Sequence, residues 1–160
     1  MPVHSEQRQL PYTPQQLYGL VADIEKYPAF LPWCIGCRIR ERKENVLIAD
    51  MVIGFKMFRE KFTSRVTLTP PNDSTSEGRI DVAYIDGPMR HMQNRWVFLA
   101  NPDGSTTIDF YVDFEFRSKI LQSLIGALFH EAVRRMVAAF DSRAQALYGA
   151  PAIVAASKPG

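Results

Sequence analysis

The chain has no long apolar run, few cysteines and almost no net charge, and each absence removes a class of protein. No stretch of its 160 residues approaches the roughly 18 apolar residues of a bilayer-spanning helix. Two cysteines cannot form a disulfide framework, and a net charge of +2 gives no general attraction to nucleic acid. The first residues carry neither the apolar core of a signal peptide nor an Arg-rich transit pattern. We therefore expect a cytoplasmic protein, soluble or peripherally attached to the inner membrane.

The sequence also lacks the common catalytic and metal-binding patterns. It contains no Ser-His-acid order, phosphate loop or Gly-rich nucleotide fingerprint, and His4, His91 and His130 fall on three different predicted elements. Cys34 and Cys37 form a C-x-x-C pair, but a strand is predicted after them, whereas a reactive pair stands at the start of a helix. We expect structural cysteines and no required cofactor or metal.

One stretch near the C-terminus, residues 118–148, predicts a long amphipathic helix. Its apolar residues follow the i, i+3, i+4, i+7 spacing through about eight turns. Ser118 is a suitable N-cap, and Gly149 followed by Pro151 is a suitable end. No other segment could form so long a helix, so its apolar stripe must pack on a sheet.

The sheet is predicted from the segments that precede this helix. Residues 3–10 form a short polar strand, Thr13 caps a first helix, and the proline-rich segment 27–33 forms a second short helix or a turn. Across residues 34–117 apolar and polar residues alternate in six segments separated by turn residues.

Together these elements predict an α+β helix-grip fold. A curved antiparallel sheet of about seven strands wraps around the long C-terminal helix, with two short helices after the first strand. One domain is expected over residues 1–149, and residues 150–160 are expected to be a flexible tail.

The alternation places a bulky, aromatic set of side chains on the inner face of this sheet. A strongly curved sheet under one helix leaves room for a tunnel, so these residues either line a pocket for an apolar ligand or simply fill a core. The candidate cavity residues, all of them apolar, are Phe30, Leu31, Trp33, Phe55, Phe62, Tyr84, Met89, Trp96, Phe98, Phe110, Phe114, Leu121, Leu124, Leu128 and Val133.

Two polar positions, Glu60 and Asn94, are also predicted to point inward. Buried polar groups need hydrogen-bond partners, so either these side chains orient a ligand headgroup or a bulge turns Glu60 out to solvent. A cyclase-like enzyme would need an acid inside the cavity, and Glu60 is the only candidate that the pattern provides.

The outer face of the predicted sheet carries a group of basic residues. Strand alternation assigns them all to this face: Arg38, Arg40, Arg42, Arg59, Lys61 and Arg65. They could meet anionic lipid headgroups or ribosomal RNA, or they could simply be the solvated side of the sheet.

Several motifs resemble those of the coenzyme Q-binding proteins, which belong to the START-like, polyketide-cyclase-related superfamily. The segment Tyr27–Cys34, with the sequence YPAFLPWC, is similar to the family's YPxFLPWC stretch. Residues 58–64, residues 84–88 with Trp96 and Phe98, and residues 112–118 are similar to its other motifs, in the same order. The resemblance runs from about Arg8 to Tyr148, and Met89 departs from it because relatives often have a bulkier apolar residue there.

The resemblance implies both a ligand and a partner. It implies a helix-grip protein that binds a ubiquinone-type polyprenyl quinone and supports respiration or quinone synthesis without catalysing a step. A close bacterial branch includes a ribosome-association toxin, so the resemblance also implies, as an alternative, binding to the large ribosomal subunit through the basic face. A cyclase or dehydratase is the third alternative.

Overall fold

The computed structural model describes residues 3–55, 58–71 and 77–149, without the side chains of Phe55 and Phe58. The candidate Phe55 and the proposed tail 150–160 thus lie outside the described parts. The elements are β1 (Val3–Leu10), α1 (Pro14–Ala22), a 3₁₀ helix (Ile24–Ala29), β2 (Cys34–Lys43), β3 (Val46–Phe55), β4 (Phe58–Thr69), β5 (Glu77–Asp86), β6 (Met89–Ala100), β7 (Thr106–Phe116) and α2 (Lys119–Tyr148).

The seven strands form one antiparallel sheet in the order β1-β7-β6-β5-β4-β3-β2. Strands β2 to β7 follow one another as hairpins, while β1 returns to pair with β7, where Leu10 lies opposite Thr106. The predicted curved sheet under a long C-terminal helix is therefore confirmed. Within the described ranges, no helix is long and apolar enough to cross a membrane.

Local sequence signals fix the ends of both α-helices. The Thr13 hydroxyl accepts a hydrogen bond from the Gln16 amide, and the Gln16 side chain accepts one from the Thr13 amide, which completes a capping box. The Ser118 hydroxyl accepts from the Leu121 amide at 3.1 Å. Gly149 ends α2 with φ 70°, a left-handed conformation that glycine adopts without steric cost.

The two ends of the sheet are covered differently. The capped end carries the β2–β3, β4–β5 and β6–β7 connections and is closed by α1 and the C-terminal part of α2, where the Tyr148 hydroxyl donates to the Gln16 carbonyl at 2.7 Å. The open rim is the opposite end, where β2 and α2 begin and β5 turns into β6. There the Arg117 amide donates to the Pro88 carbonyl at 3.0 Å, which joins the start of α2 to that turn.

Buried apolar residues form two clusters rather than one. The larger cluster lies under α1 and the C-terminal half of α2 and includes Leu47 and Phe98, both 0% exposed. The smaller cluster lies near the open rim and has only three described buried members, Met89, Phe116 and Leu121. The predicted inner-face aromatics are therefore divided between two packing environments.

Candidate ligand cavity and charged outer face

A small cavity lies between the sheet, α1 and α2, with a volume of about 40 Å³. Its walls come from β1, α1, β6, β7 and α2. The lining residues are Glu6, Arg8, Leu10, Leu17, Leu20, Val21, Trp96, Ile108, Phe110, Met136, Val137, Phe140 and Asp141. The space is therefore apolar except where Glu6, Arg8 and Asp141 face it.

Packed rings form one wall of the cavity. The centroid of the Trp96 ring lies 4.6 Å from that of Phe110 and 5.2 Å from that of Phe140. Phe140 continues the contact to Phe30 at 5.3 Å, and the Arg143 guanidinium lies over the Phe30 ring at 5.1 Å. This run of rings ties the segment after the 3₁₀ helix to α2 and to the sheet.

Asn94 holds one of these rings in place. The Trp96 indole Nε1 donates to the Asn94 side-chain oxygen at 3.0 Å, and the Asn94 amide nitrogen donates to the Tyr111 carbonyl at 2.9 Å. The predicted inward residue thus has its partners within the protein, and it orients Trp96.

A second wall, formed by β1 and the C-terminal half of α2, carries charged side chains that the sequence patterns did not predict. Arg8 donates two hydrogen bonds to the Asp141 carboxylate, at 2.9 and 2.6 Å, and this bonding raises the pKa of Arg8 although burial opposes it. Arg8 also lies 3.6 Å from a carboxylate oxygen of Glu6, which contacts the His4 ring nitrogen at 2.5 Å.

Two signals in the sequence could have revealed this wall. On β1 the polar residues at positions 4, 6 and 8 lie on the same face of the strand as Leu10. All four positions are less exposed than the odd-numbered positions of the strand. On α2, Asp141 lies four residues after Val137 and therefore falls within the apolar stripe, where a charged group needs a partner.

Among the described candidates, only Trp96 and Phe110 line this cavity. Phe98 instead packs edge-on to Tyr18 of α1 at 6.0 Å between centroids, and Phe30 and Leu31 pack against the larger cluster. The candidates that belong to or pack against the smaller cluster are Phe62, Tyr84, Met89, Phe114 and Leu121.

The remaining candidates lie on α2, at the start of β2 and on β4. On α2, Val133 is buried and Leu124 and Leu128 are partly buried. Trp33 is partly buried with φ 65°, and its carbonyl accepts from the Gly54 amide.

Glu60 is half-buried opposite Ile53 near the open rim and does not line the cavity. The expectation that it is the only acid available there was wrong, because Glu6 and Asp141 face the cavity.

The two cysteines are placed as structural residues. Burial raises the pKa of Cys34 to about 11 and that of Cys37 to about 12, so neither thiol is poised as a nucleophile near neutral pH. In the described ranges no group of three or more His, Cys, Asp or Glu residues could hold a metal ion.

On the outer face, basic side chains converge on one carboxylate. Asp50 is 6% exposed and accepts a hydrogen bond from the Thr63 hydroxyl at 2.6 Å. Arg38 and Arg40 each lie 3.6 Å from its oxygens. Burial alone would raise the pKa of Asp50, but the Thr63 hydrogen bond and the charges of Arg40, Lys61 and Arg38 outweigh it and lower the pKa.

The assignment of Arg42 to this face was wrong. A bulge between Ile39 and Glu41 inserts one extra residue into β2, so Arg42 lies opposite Leu47, which belongs to the core face. A one-residue shift moves every later side chain to the other face. The other five predicted basic residues are exposed. The strand registers place Arg38, Arg59, Lys61 and Arg65 on the outer face, and the contact with Asp50 places Arg40 there.

Residues 10–141 match the family described as polyketide cyclase / dehydrase and lipid transport. The chain belongs to this family. The aromatase/cyclase Zhui from a Streptomyces species has the observed fold: it superposes with a TM-score of 0.71 over 90% of this chain and 93% of its own, at 13% identity. At that identity the likeness concerns the fold alone.

Nearer relatives carry two different functional names. The ribosome association toxin RatA of Rickettsia prowazekii is 39% identical over 138 residues, which is 85% of this chain and 91% of that protein. The mitochondrial coenzyme Q-binding protein COQ10 homolog B of Xenopus laevis is 31% identical over 150 residues, which is 91% of this chain but 59% of that protein. The solution structure of protein CC1736 from Caulobacter crescentus is 34% identical, with a TM-score of 0.71, and covers 94% of this chain and 100% of its own.

Proposed function

We propose that this protein binds a ubiquinone-type polyprenyl quinone between the sheet and α2 and catalyses no reaction. The cavity carries this proposal, because its lining combines packed aromatic rings with the charged side chains of Glu6, Arg8 and Asp141. The quinone ring would contact Trp96, and its carbonyl oxygens would accept hydrogen bonds from Arg8. The lipid-transport description of the family and the name of the Xenopus relative support the same ligand class. The proposal includes a cytoplasmic location, at most peripheral at the inner membrane, and no required cofactor.

The size of the cavity sets a condition on binding. At about 40 Å³ it is smaller than the engineered cavities of about 150 Å³ that admit one benzene molecule. A quinone would therefore need Trp96 or Phe140 to rotate, or α2 to move away from the sheet. Met136 and Val137 form the α2 side of the cavity and are only half-buried, so this part of the helix is the one that we expect to shift.

Lipid extraction from the freshly purified protein tests the ligand. Solvent extraction, chromatography and mass spectrometry should recover a quinone in near-stoichiometric amount. Val137→Arg places a charge in the cavity and should abolish retention, whereas Ala138→Arg, on the neighbouring exposed position, should not. An empty protein that also takes up no added short-tailed ubiquinone would overturn the proposal.

Uptake can be observed at the site itself, because the chain has two tryptophans and one of them lines the cavity. In a Trp33→Phe variant, Trp96 is the only tryptophan, and a short-tailed ubiquinone should quench its selectively excited fluorescence in a saturable way. Quenching that Val137→Arg leaves unchanged would place the quinone elsewhere on the protein.

The outer face supports a second candidate function, association with the large ribosomal subunit. Arg38 and Arg40 have side chains 73% and 51% exposed, and both are drawn together over buried Asp50. Such a basic surface is suited to phosphates of RNA. The Rickettsia relative bears the name ribosome association toxin.

Cosedimentation with purified large subunits tests this candidate. The double reversal Arg40→Glu with Lys61→Glu should abolish a salt-dependent association and leave quinone uptake intact. The matched reversal of Arg134 and Arg135, exposed on α2, should have little effect. If both double variants lose association with the large subunit equally, the effect of charge is non-specific.

A further inference from the structure

The exposed aliphatic side chains are not spread evenly over the molecule. Five large hydrophobic residues of the described chain are exposed: Val3 50%, Ile35 46%, Ile85 49%, Ile120 75% and Leu147 49%. Scattered exposed hydrophobic residues are normal on soluble proteins, so their number means little. Their location is informative, because four of the five lie at the open rim.

Strand register establishes that location. Val3 begins β1 opposite Asp113, near the end of β7, and Ile35 follows Cys34, which begins β2 opposite Ile53. Ile85 lies at the end of β5, just before the turn into β6. Ile120 lies in the first turn of α2.

The spacing of these residues favours a fluid partner over a folded one. In the sheet order, three strand intervals separate β1 from β5, and three more separate β5 from β2. Each set of three intervals spans roughly 14 Å. Side chains so far apart do not form the continuous, close-packed core of a protein–protein interface. A lipid bilayer can accept each of them separately.

Cations occupy the strands between these aliphatic residues. Exposed Arg59 lies near the start of β4, Arg90 on β6, and Arg117 and Lys119 at the β7–α2 junction. The acidic groups described at this end are Asp86, Asp113, Glu115 and half-buried Glu60. Asp113 lies 3.1 Å from His91, and Glu115 lies 3.7 Å from Arg90. Arg59, Arg117 and Lys119 therefore face only two acidic groups that are not engaged by His91 or Arg90, and this local excess of cations matches a moderately anionic surface.

We propose that the open rim is a docking surface for an anionic phospholipid bilayer. Ile85 and Ile120 enter the interfacial region of the bilayer, and Arg117 and Lys119 contact the lipid phosphates. This surface shares Arg59 with the basic outer face, but its isoleucines, Arg117 and Lys119 lie outside that face. It does not depend on which ligand the cavity holds, so its test is independent of quinone binding.

Cosedimentation with lipid vesicles tests the proposal on the 160-residue chain. The protein should bind vesicles of phosphatidylcholine mixed with phosphatidylglycerol more tightly than vesicles of phosphatidylcholine alone. Ile120→Ser should weaken binding by about tenfold, the equivalent of about 1.4 kcal/mol from lost apolar burial. Leu147→Ser is the matched control, because Leu147 is also an exposed aliphatic residue of α2 but lies at the capped end.

Charge reversals complete the test. Arg117→Glu with Lys119→Glu should remove the preference for anionic vesicles, whereas Arg40→Glu with Lys61→Glu should leave it unchanged. The proposal would be overturned if the protein bound no vesicles, or if Leu147→Ser weakened vesicle binding as much as Ile120→Ser. It would also be overturned if the outer-face reversal removed the preference for anionic vesicles. Light scattering must show a monomer at the same concentrations, because self-association abolished by Ile120→Ser would identify the rim as a contact between copies instead.

Discussion

The capped end and the open rim of this sheet are made from the same strands but differ in how their apolar residues are covered. At the capped end, Phe98 and Leu47 are 0% exposed under two helices. At the open rim a cluster with three described buried residues lies behind isoleucines that face solvent. Stability is therefore concentrated at one end, and the exposed surface at the other is available for contacts.

This difference predicts where substitutions should reduce stability and where they should alter binding. Truncation of a large side chain costs most where helices on both sides prevent the neighbours from collapsing into the space. At the open rim the neighbours can relax, so substitutions there should alter binding more than folding. Three measurements would sharpen or break this comparison.

The largest effect is expected from Phe→Ala substitutions in the two clusters. Phe98→Ala should lower the free energy of unfolding by about 3–5 kcal/mol, whereas Phe116→Ala should fall at or below the lower end of that range because its smaller cluster can relax. Urea denaturation with linear extrapolation measures both. If Phe116→Ala costs as much as Phe98→Ala, the two ends are equally rigid and the comparison fails.

Smaller effects on stability, opposite in sign to each other, are expected from substitutions at two glycines. A Cβ at Gly87, which has φ 148°, would lie 2.6 Å from the Phe62 Cβ, so Gly87→Ala should destabilise the protein by about 1–3 kcal/mol. At Gly126, in exposed α2, a Cβ would meet no described atom within 4 Å beyond the helix's own backbone. Gly126→Ala should therefore stabilise by about 0.5–1 kcal/mol. Thermal melts of the two variants should shift in opposite directions.

The smallest effect is expected where β1 is joined to α2. Arg8 and Asp141 are each about a third exposed, so a double-mutant cycle of Arg8→Gln and Asp141→Asn should give a coupling of about 1 kcal/mol or less. Asp141→Asn should speed amide hydrogen exchange in the C-terminal half of α2 and leave the N-terminal half unchanged. If amide exchange accelerates equally along all of α2, the Arg8–Asp141 pair does not act specifically on the C-terminal half.

The sequence predicted the fold because its patterns are local. Alternation over residues 34–117 and the capped 118–148 helix each specify one face, and a sheet with one apolar face has few ways to pack against one helix. The site was less predictable. Trp96 and Phe110 were identified, but the alternation cannot tell which inward residues meet α1 and which meet α2.

Bulges and charged pairs account for the remaining errors. The bulge after Ile39 moved Arg42 to the other face, and a single sequence gives little warning of one extra residue. Arg8 and Asp141 are 133 residues apart in the chain, so neither position by itself indicates that they meet across the cavity. Such partners depend on the complete fold.

The return of β1 to β7 has a consequence during synthesis. Leu10 is made early, but its partner Thr106 follows it only after roughly 5–20 s at ordinary translation rates. Until then β1 has no neighbouring strand in the sheet and its apolar end cannot be covered by α2, the last helix to be made. The hairpins from β2 to β7 can pair in order as they emerge, so β1, which precedes them in the chain, is among the last strands to find its place.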